Sequence, residues 1–148
     1  MWTSRLVIVI FALLAAACSA KAMGPPEIVI DRTACSHCGM FVSEPAYAAA
    51  FQPHNEEPRV FDDIGCMLQA LRAETASSMK VWVQDAAGGG WLDADDAIFV
   101  ASPQIRAPMG GGLLAYADEA AAGKAAITLG GEVVRSFREL MERRGDVR

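Results

Sequence analysis

Positive charge is scarce in this chain. Its 13 Lys and Arg face 18 Asp and Glu, a formal net charge of −5. The arginines near the end, Arg135, Arg138, Arg143 and Arg144, alternate with Glu139 and Glu142 and form a solvated helix face rather than a basic patch. An acidic chain without a basic cluster is poorly suited to nucleic acid or to anionic lipid surfaces. No Ser-His-Asp set, phosphate-binding loop or Rossmann glycine pattern is present. Long apolar runs are absent too. The charge-free stretch 6–14 is nine residues, whereas a membrane-spanning helix needs about 20.

That stretch has a different use. Arg5 precedes it, and Ala15-Ala16-Ala17 lead from it into Cys18. A charged start, a short apolar core and a small-residue site mark an export signal. Ending in Cys, it looks like a bacterial lipoprotein signal, with Cys18 acylated as the first mature residue. Plain secretion is the alternative, because Ala15 stands where Leu is usual. Ser19 after the Cys points to the outer membrane of a Gram-negative cell. Both readings place residues 18–148 outside the cytoplasm. Residues 18–27, with Pro25-Pro26, read as a tether. Residues 28–148 suffice for one domain with its own core.

Cysteine is sparse, and its count is informative. There are four. With Cys18 lipidated, Cys35, Cys38 and Cys66 remain, an odd number in an oxidising compartment. A metal holds them, a chaperone keeps them reduced, or Cys35 and Cys38 form a disulfide with Cys66 buried.

The densest chemistry lies in Cys35-Ser-His37-Cys38-Gly39-Met40. Two thiols, an imidazole and a thioether share six positions. Thiolate and thioether are soft donors that select Cu(I). Gly39 permits positive φ, so the chain can fold back with both sulfurs inward. Neither a redox loop nor a zinc knuckle needs the adjoining Met.

The spacing predicts strands at 28–31, 47–52, 59–62 and 81–84, with a glycine loop at 88–90. Asp62 or Asp63 caps a helix whose Ile64, Met67, Leu68 and Leu71 recur on one face. Cys66 lies off that stripe near the helix start. The order then repeats, with strands at 98–100, 113–116 and 133–134. An Ala-rich helix capped by Asp118 ends at Gly130-Gly131. Ser136 and Glu139 form a capping box for a last helix, with Phe137, Leu140 and Met141 inward. The expected fold is α+β, two small strand-strand-helix-strand halves (28–90 and 91–148) packed as one unit.

A knuckle, a hairpin and a helix with Cys near its start is the layout of a treble-clef metal site. The helix dipole there would lower the Cys66 pKa. The plainer reading makes Cys66 a small buried hydrophobe. Of seven methionines, Met67 and Met141 lie on apolar helix faces and Met79 starts a strand. Met40 and Met109 instead stand in glycine-rich stretches, where a large apolar side chain has little packing purpose and a metal-ligand role has one. His37 either ligates or faces water; His54 sits in a polar turn.

Taken together, the lipobox-like Cys18, Cys35-Ser-His-Cys38-Gly-Met40, Phe61-Asp-Asp-Ile-Gly-Cys66-Met67, Pro108-Met109-Gly-Gly-Gly-Leu-Leu-Ala-Tyr116 and Gly130-Gly-Glu-Val133 resemble the NosL family. The resemblance covers nearly all of the mature chain. It implies a periplasmic Cu(I) chaperone, not an enzyme, supplying the copper sites of nitrous oxide reductase. It implies as partner an ABC-type maturation complex in the membrane, and a fold of two treble-clef-like halves as in organomercurial lyase. Cys38-Gly-Met40 also resembles the short YHS metal-binding module. Three rivals stand beside it. A thiol–disulfide oxidoreductase would use Cys35 and Cys38, but such pairs normally open a helix, and Pro45 close behind favours turn and strand. An organomercurial lyase rests on fold analogy alone. A structural zinc site would close Cys35, Cys38 and Cys66 with His37 as the fourth ligand.

Overall fold

The computed structural model describes residues 23–76 and 78–145. Cys18 and the export signal lie outside them. The fold is α+β. Seven strands, β1 (Ala49–Pro53), β2 (Arg59–Phe61), β3 (Met79–Asp85), β4 (Gly90–Asp93), β5 (Ile98–Ala101), β6 (Leu113–Tyr116) and β7 (Glu132–Val134), form one sheet. The helices are α1 (Ile64–Ala73), α2 (Glu119–Thr128) and α3 (Phe137–Gly145).

The sheet runs β2-β1-β3-β6-β5-β7, with β4 paired to β3. Two antiparallel groups make it up. β1 is flanked by β2 and β3, and β5 by β6 and β7. The seam between the groups is parallel, with Asp85 opposite Ala115. Each group follows the order strand, strand, helix, strand.

Alternation along the strands sorts side chains to two faces. Phe99, Leu113, Ala115 and Val134 join Phe51, Phe61, Met67, Leu68 and Leu140 in the main core, beneath α1 and α3. Val100, Ile105 and Tyr116 face the other way and pack on Ala122 and Ala126 of α2. Glycine positions shape the ends: Gly130 (φ 57°) follows α2, and the Gly131 N–H returns to the Ala126 carbonyl at 2.8 Å. Ser136 and Glu139 make the capping box of α3, with Glu139 N–H on Ser136 Oγ and Arg135 N–H on Glu139 Oε2.

Some local expectations change. Residues 28–31 are not a strand. Thr33 Oγ1 accepts from the Val29 N–H at 2.9 Å, the Arg32 and Thr33 N–H groups return to the Val29 carbonyl, and Asp31 takes φ 59°. That side-chain bond offers the backbone a turn instead of a ladder. Tyr47 belongs to a 3₁₀ turn, Pro45–Tyr47, opened by a proline whose fixed φ suits it. The glycine loop hides β4: Gly88 and Gly90 turn the chain so that Trp91 and Leu92 pair back on β3. The last tether residues are docked, since Trp91 Nε1 donates to the Pro26 carbonyl and Gly24 N–H to Gln52 Oε1. Among the described residues no helix is long and apolar enough to cross a membrane.

Candidate metal centre

The knuckle folds as its glycine predicts. Gly39 has φ 78°, and an isolated bridge joins Ala34 to Phe41. Cys35 N–H donates to the Met40 carbonyl at 2.7 Å, and Gly39 N–H to the Cys35 carbonyl at 2.9 Å. Ser36 N–H donates to the Val60 carbonyl at 2.8 Å, which moors the knuckle to β2. The chain then leaves β2 through Asp62 and Asp63 into α1, where Cys66 falls in the first turn.

Cys35, Cys38, Cys66 and Asp62 thereby converge. One ligand atom from each lies within 4.8 Å of all the others. Cys35, Cys66 and Asp62 are buried and Cys38 is half-buried. The Cys38 thiol faces both Asp62 oxygens at 3.8 Å, and the Asp63 N–H donates to Asp62 Oδ1 at 3.1 Å. Sulfurs held about 2.3 Å from one ion stand about 3.8 Å apart, so the spacing suits a single bound metal. A carboxylate withdrawn from water calls for a compensating charge. A cation held by these four groups would supply it and would replace the thiol protons.

Without a metal, Cys35 and Cys66 are held in their thiol form. Burial pushes the Cys35 thiol up, against the backbone N–H groups of Cys38, Asp62 and His37 that favour its thiolate. Burial, then the neighbouring Cys35 and Asp62, push the Cys66 thiol far up. The helix dipole at the start of α1 favours the Cys66 thiolate, but desolvation and like charges outweigh it.

Asp63 supplies the framework. Its Oδ1 accepts from the Cys66 N–H at 2.7 Å and caps α1. Its Oδ2 accepts from the Met109 N–H at 3.0 Å and the Gly111 N–H at 3.2 Å. One buried carboxylate thus binds the Cys66 turn to the Pro108–Gly112 loop. Contact there is tight: a Cβ on Gly65 would lie 2.8 Å from the Gly111 Cα.

The predicted site residues therefore divide. Cys35, Cys38 and Cys66 come together. The Met109 backbone is fastened beside them, while the residue is 45% exposed and Met40 is 54% exposed. His37 is outside the converging group; its Nε2 lies 3.2 Å from Gln69 Oε1. Asp62, read from sequence only as a possible cap, takes the fourth place. The clue was the Asp62-Asp63 pair itself, because a helix uses one N-cap and the other carboxylate needs another reason to be buried.

A family model described as NosL matches residues 26–143. The chain belongs to the NosL family. Among solved structures, it is similar to the crystal structure of the copper chaperone NosL from Shewanella denitrificans. The TM-score is 0.70 at 18% identity, over 80% of this chain and 96% of that one. At this identity the likeness speaks for the fold. No curated protein matches the sequence significantly. In this NosL-family chain the matched span takes in the knuckle, the α1 turn and the Met109 loop together.

Proposed function

We propose that this protein is a Cu(I) chaperone that hands copper to the maturation of nitrous oxide reductase, through an ABC-type membrane complex. The carrying observation is three thiols and a carboxylate within 4.8 Å, with exposed thioethers on the neighbouring knuckle and loop. Soft sulfur donors favour Cu(I) over harder ions. A carrier must also release its metal. Neutral thioethers at the edge give a departing ion a way out that no proton blocks. We read the chain as a carrier rather than an enzyme. We place the protein in the periplasm, held to the membrane (the outer one) by a lipid on Cys18, and read the two strand-strand-helix-strand halves as treble-clef-like.

One observation favours a second reading. Three Cys and one Asp complete four ligands, the number a structural Zn²⁺ takes. Competition for the reduced protein between Zn²⁺ and a Cu(I) chelator separates the two. We expect Cu(I) to be held tightly and Zn²⁺ to be displaced by it; retention of Zn²⁺ against Cu(I) would favour the structural site. In cells, a deletion strain at low copper should make nitrous oxide reductase protein that is copper-poor. A fully metallated, active reductase there would refute the delivery role. Mass spectrometry of the mature N-terminus tests the anchor, which an unmodified Ser19 terminus would exclude.

A further inference from the structure

The three thiols differ in who can reach them. Cys35 is 2% exposed and Cys66 1%, whereas Cys38 is half-buried and turns its sulfur to Asp62. All three are free and lie within 4.8 Å of one another. Disulfide sulfurs sit about 2.05 Å apart, so joining two of these asks for an approach on the scale of a side-chain rotation. Protein oxidants work through a mixed disulfide and must touch the sulfur they attack. The interior pair is closed to them. A metal ion entering beside Cys38 is not so restricted, and the same donors receive it.

We propose, on the copper-binding reading above, that the cluster also reduces Cu(II), with Cys35 and Cys66 as the electron source. The two thiols lose two electrons and two protons and form one S–S bond. Each of two Cu(II) ions gains one electron and becomes Cu(I), and the protons leave to solvent. Cys38 is left over, and it keeps one Cu(I) with the thioethers of Met40 and Met109. The second Cu(I) is released. An odd number of thiols is what this division of labour needs: a pair to spend and one to hold. The chain would then accept copper in either oxidation state and carry only the reduced ion. The new bond would also tie the knuckle to the first turn of α1.

The test uses the mature protein with its lipidated Cys18, reduced, metal-free and under nitrogen. Cu(II) is added with a colorimetric Cu(I) chelator, and the products are mapped as peptides. We expect two Cu(I) formed per chain and a Cys35–Cys66 peptide. Cys38 should remain the free thiol of the three. The Cys38→Ser variant should retain no copper when the chelator is omitted. The Cys66→Ala variant should lose the reduction. Peptide mapping of the unaltered chain decides the pairing even where a variant fails to fold. Three thiols still free after Cu(II) would overturn the reduction, and a bond involving Cys38 would overturn the assignment. Direct titration with Cu(I) keeps the two ideas apart. Tight Cu(I) binding with no Cu(II) reduction refutes this inference alone, while failure to bind Cu(I) refutes the chaperone as well.

Discussion

Asp63 and Asp118 hold the same station in the two strand-strand-helix-strand groups. Each caps its helix by accepting from the backbone N–H three residues on, at Cys66 and at Ala121. There the likeness ends. Asp118 is exposed and its bond is local. Asp63 is fully buried and its second oxygen reaches the Met109 and Gly111 N–H groups of the other group. The helices follow suit. α1 buries five consecutive residues, Ile64 to Leu68, whereas α2 buries only Ala122 and Ala126. The same cap therefore serves as a helix start in one group and as a long-range joint in the other, and the joint is where the thiols gather.

Replacing the two caps should separate these roles most widely. Asp63→Ala removes the carboxylate that accepts from the Cys66, Met109 and Gly111 N–H groups. We expect a loss of about 3–5 kcal/mol in chemical denaturation. Cu(I) affinity should fall with it. Asp118→Ala should cost only about 1 kcal/mol and leave Cu(I) binding unchanged. Equal losses from the two substitutions would remove the contrast.

The helical glycines give the next comparison. At Gly65 a methyl group meets the Gly111 backbone at 2.8 Å, while at Gly123 it meets nothing within 4 Å. Gly65→Ala should push the Met109 loop from α1 and cost about 1–3 kcal/mol. Gly123→Ala should instead stabilise by about 0.5–1 kcal/mol, because alanine loses less backbone freedom on folding. Thermal melts of the two variants should therefore move in opposite directions.

The smallest stability effect should come from the site's edge. Met109→Leu keeps the volume of a half-exposed side chain and removes its sulfur, so stability should change by no more than about 0.5 kcal/mol. Cu(I) binding, read by chelator competition, should weaken roughly tenfold, equivalent to about 1.4 kcal/mol. An unchanged affinity would take Met109 out of the ligand set.

Local rules carried much of this into the sequence. The stripe of Ile64, Met67 and Leu68, the Asp118 cap, the Ser136 capping box and the Gly39 turn are short-range features that the chain writes within a few residues. Cys35, Cys38 and Cys66 were legible because thiols are few and their spacing is specific. What could not be read is long-range. Whether Asp62 or Asp63 capped α1 depended on which carboxylate met Cys38, a contact 24 residues away. The bond from Met109 to Asp63 depends on β6 lying beside β3, which no periodicity announces. The Cys66 pKa is hidden from the sequence for the same reason. The dipole is visible in one helix, but the burial that outweighs it comes from the whole core. β4 and the turn at 28–33 were lost to glycine and threonine, which let the backbone choose partners that hydrophobic alternation does not show.

The reach of Asp63 has a consequence for the order in which the molecule is made. Its bonds to Met109 and Gly111 span 46 and 48 residues. Contacts so far apart along a chain form only after the entropy of closing a long loop has been overcome, and they belong to the late part of folding. A chain with only its first group in place has a knuckle and a thiol-bearing helix, but its Met109 edge is not yet seated. The complete pocket is thus a report that the second group has folded and docked, and a copper ion held at full strength is held by a finished molecule.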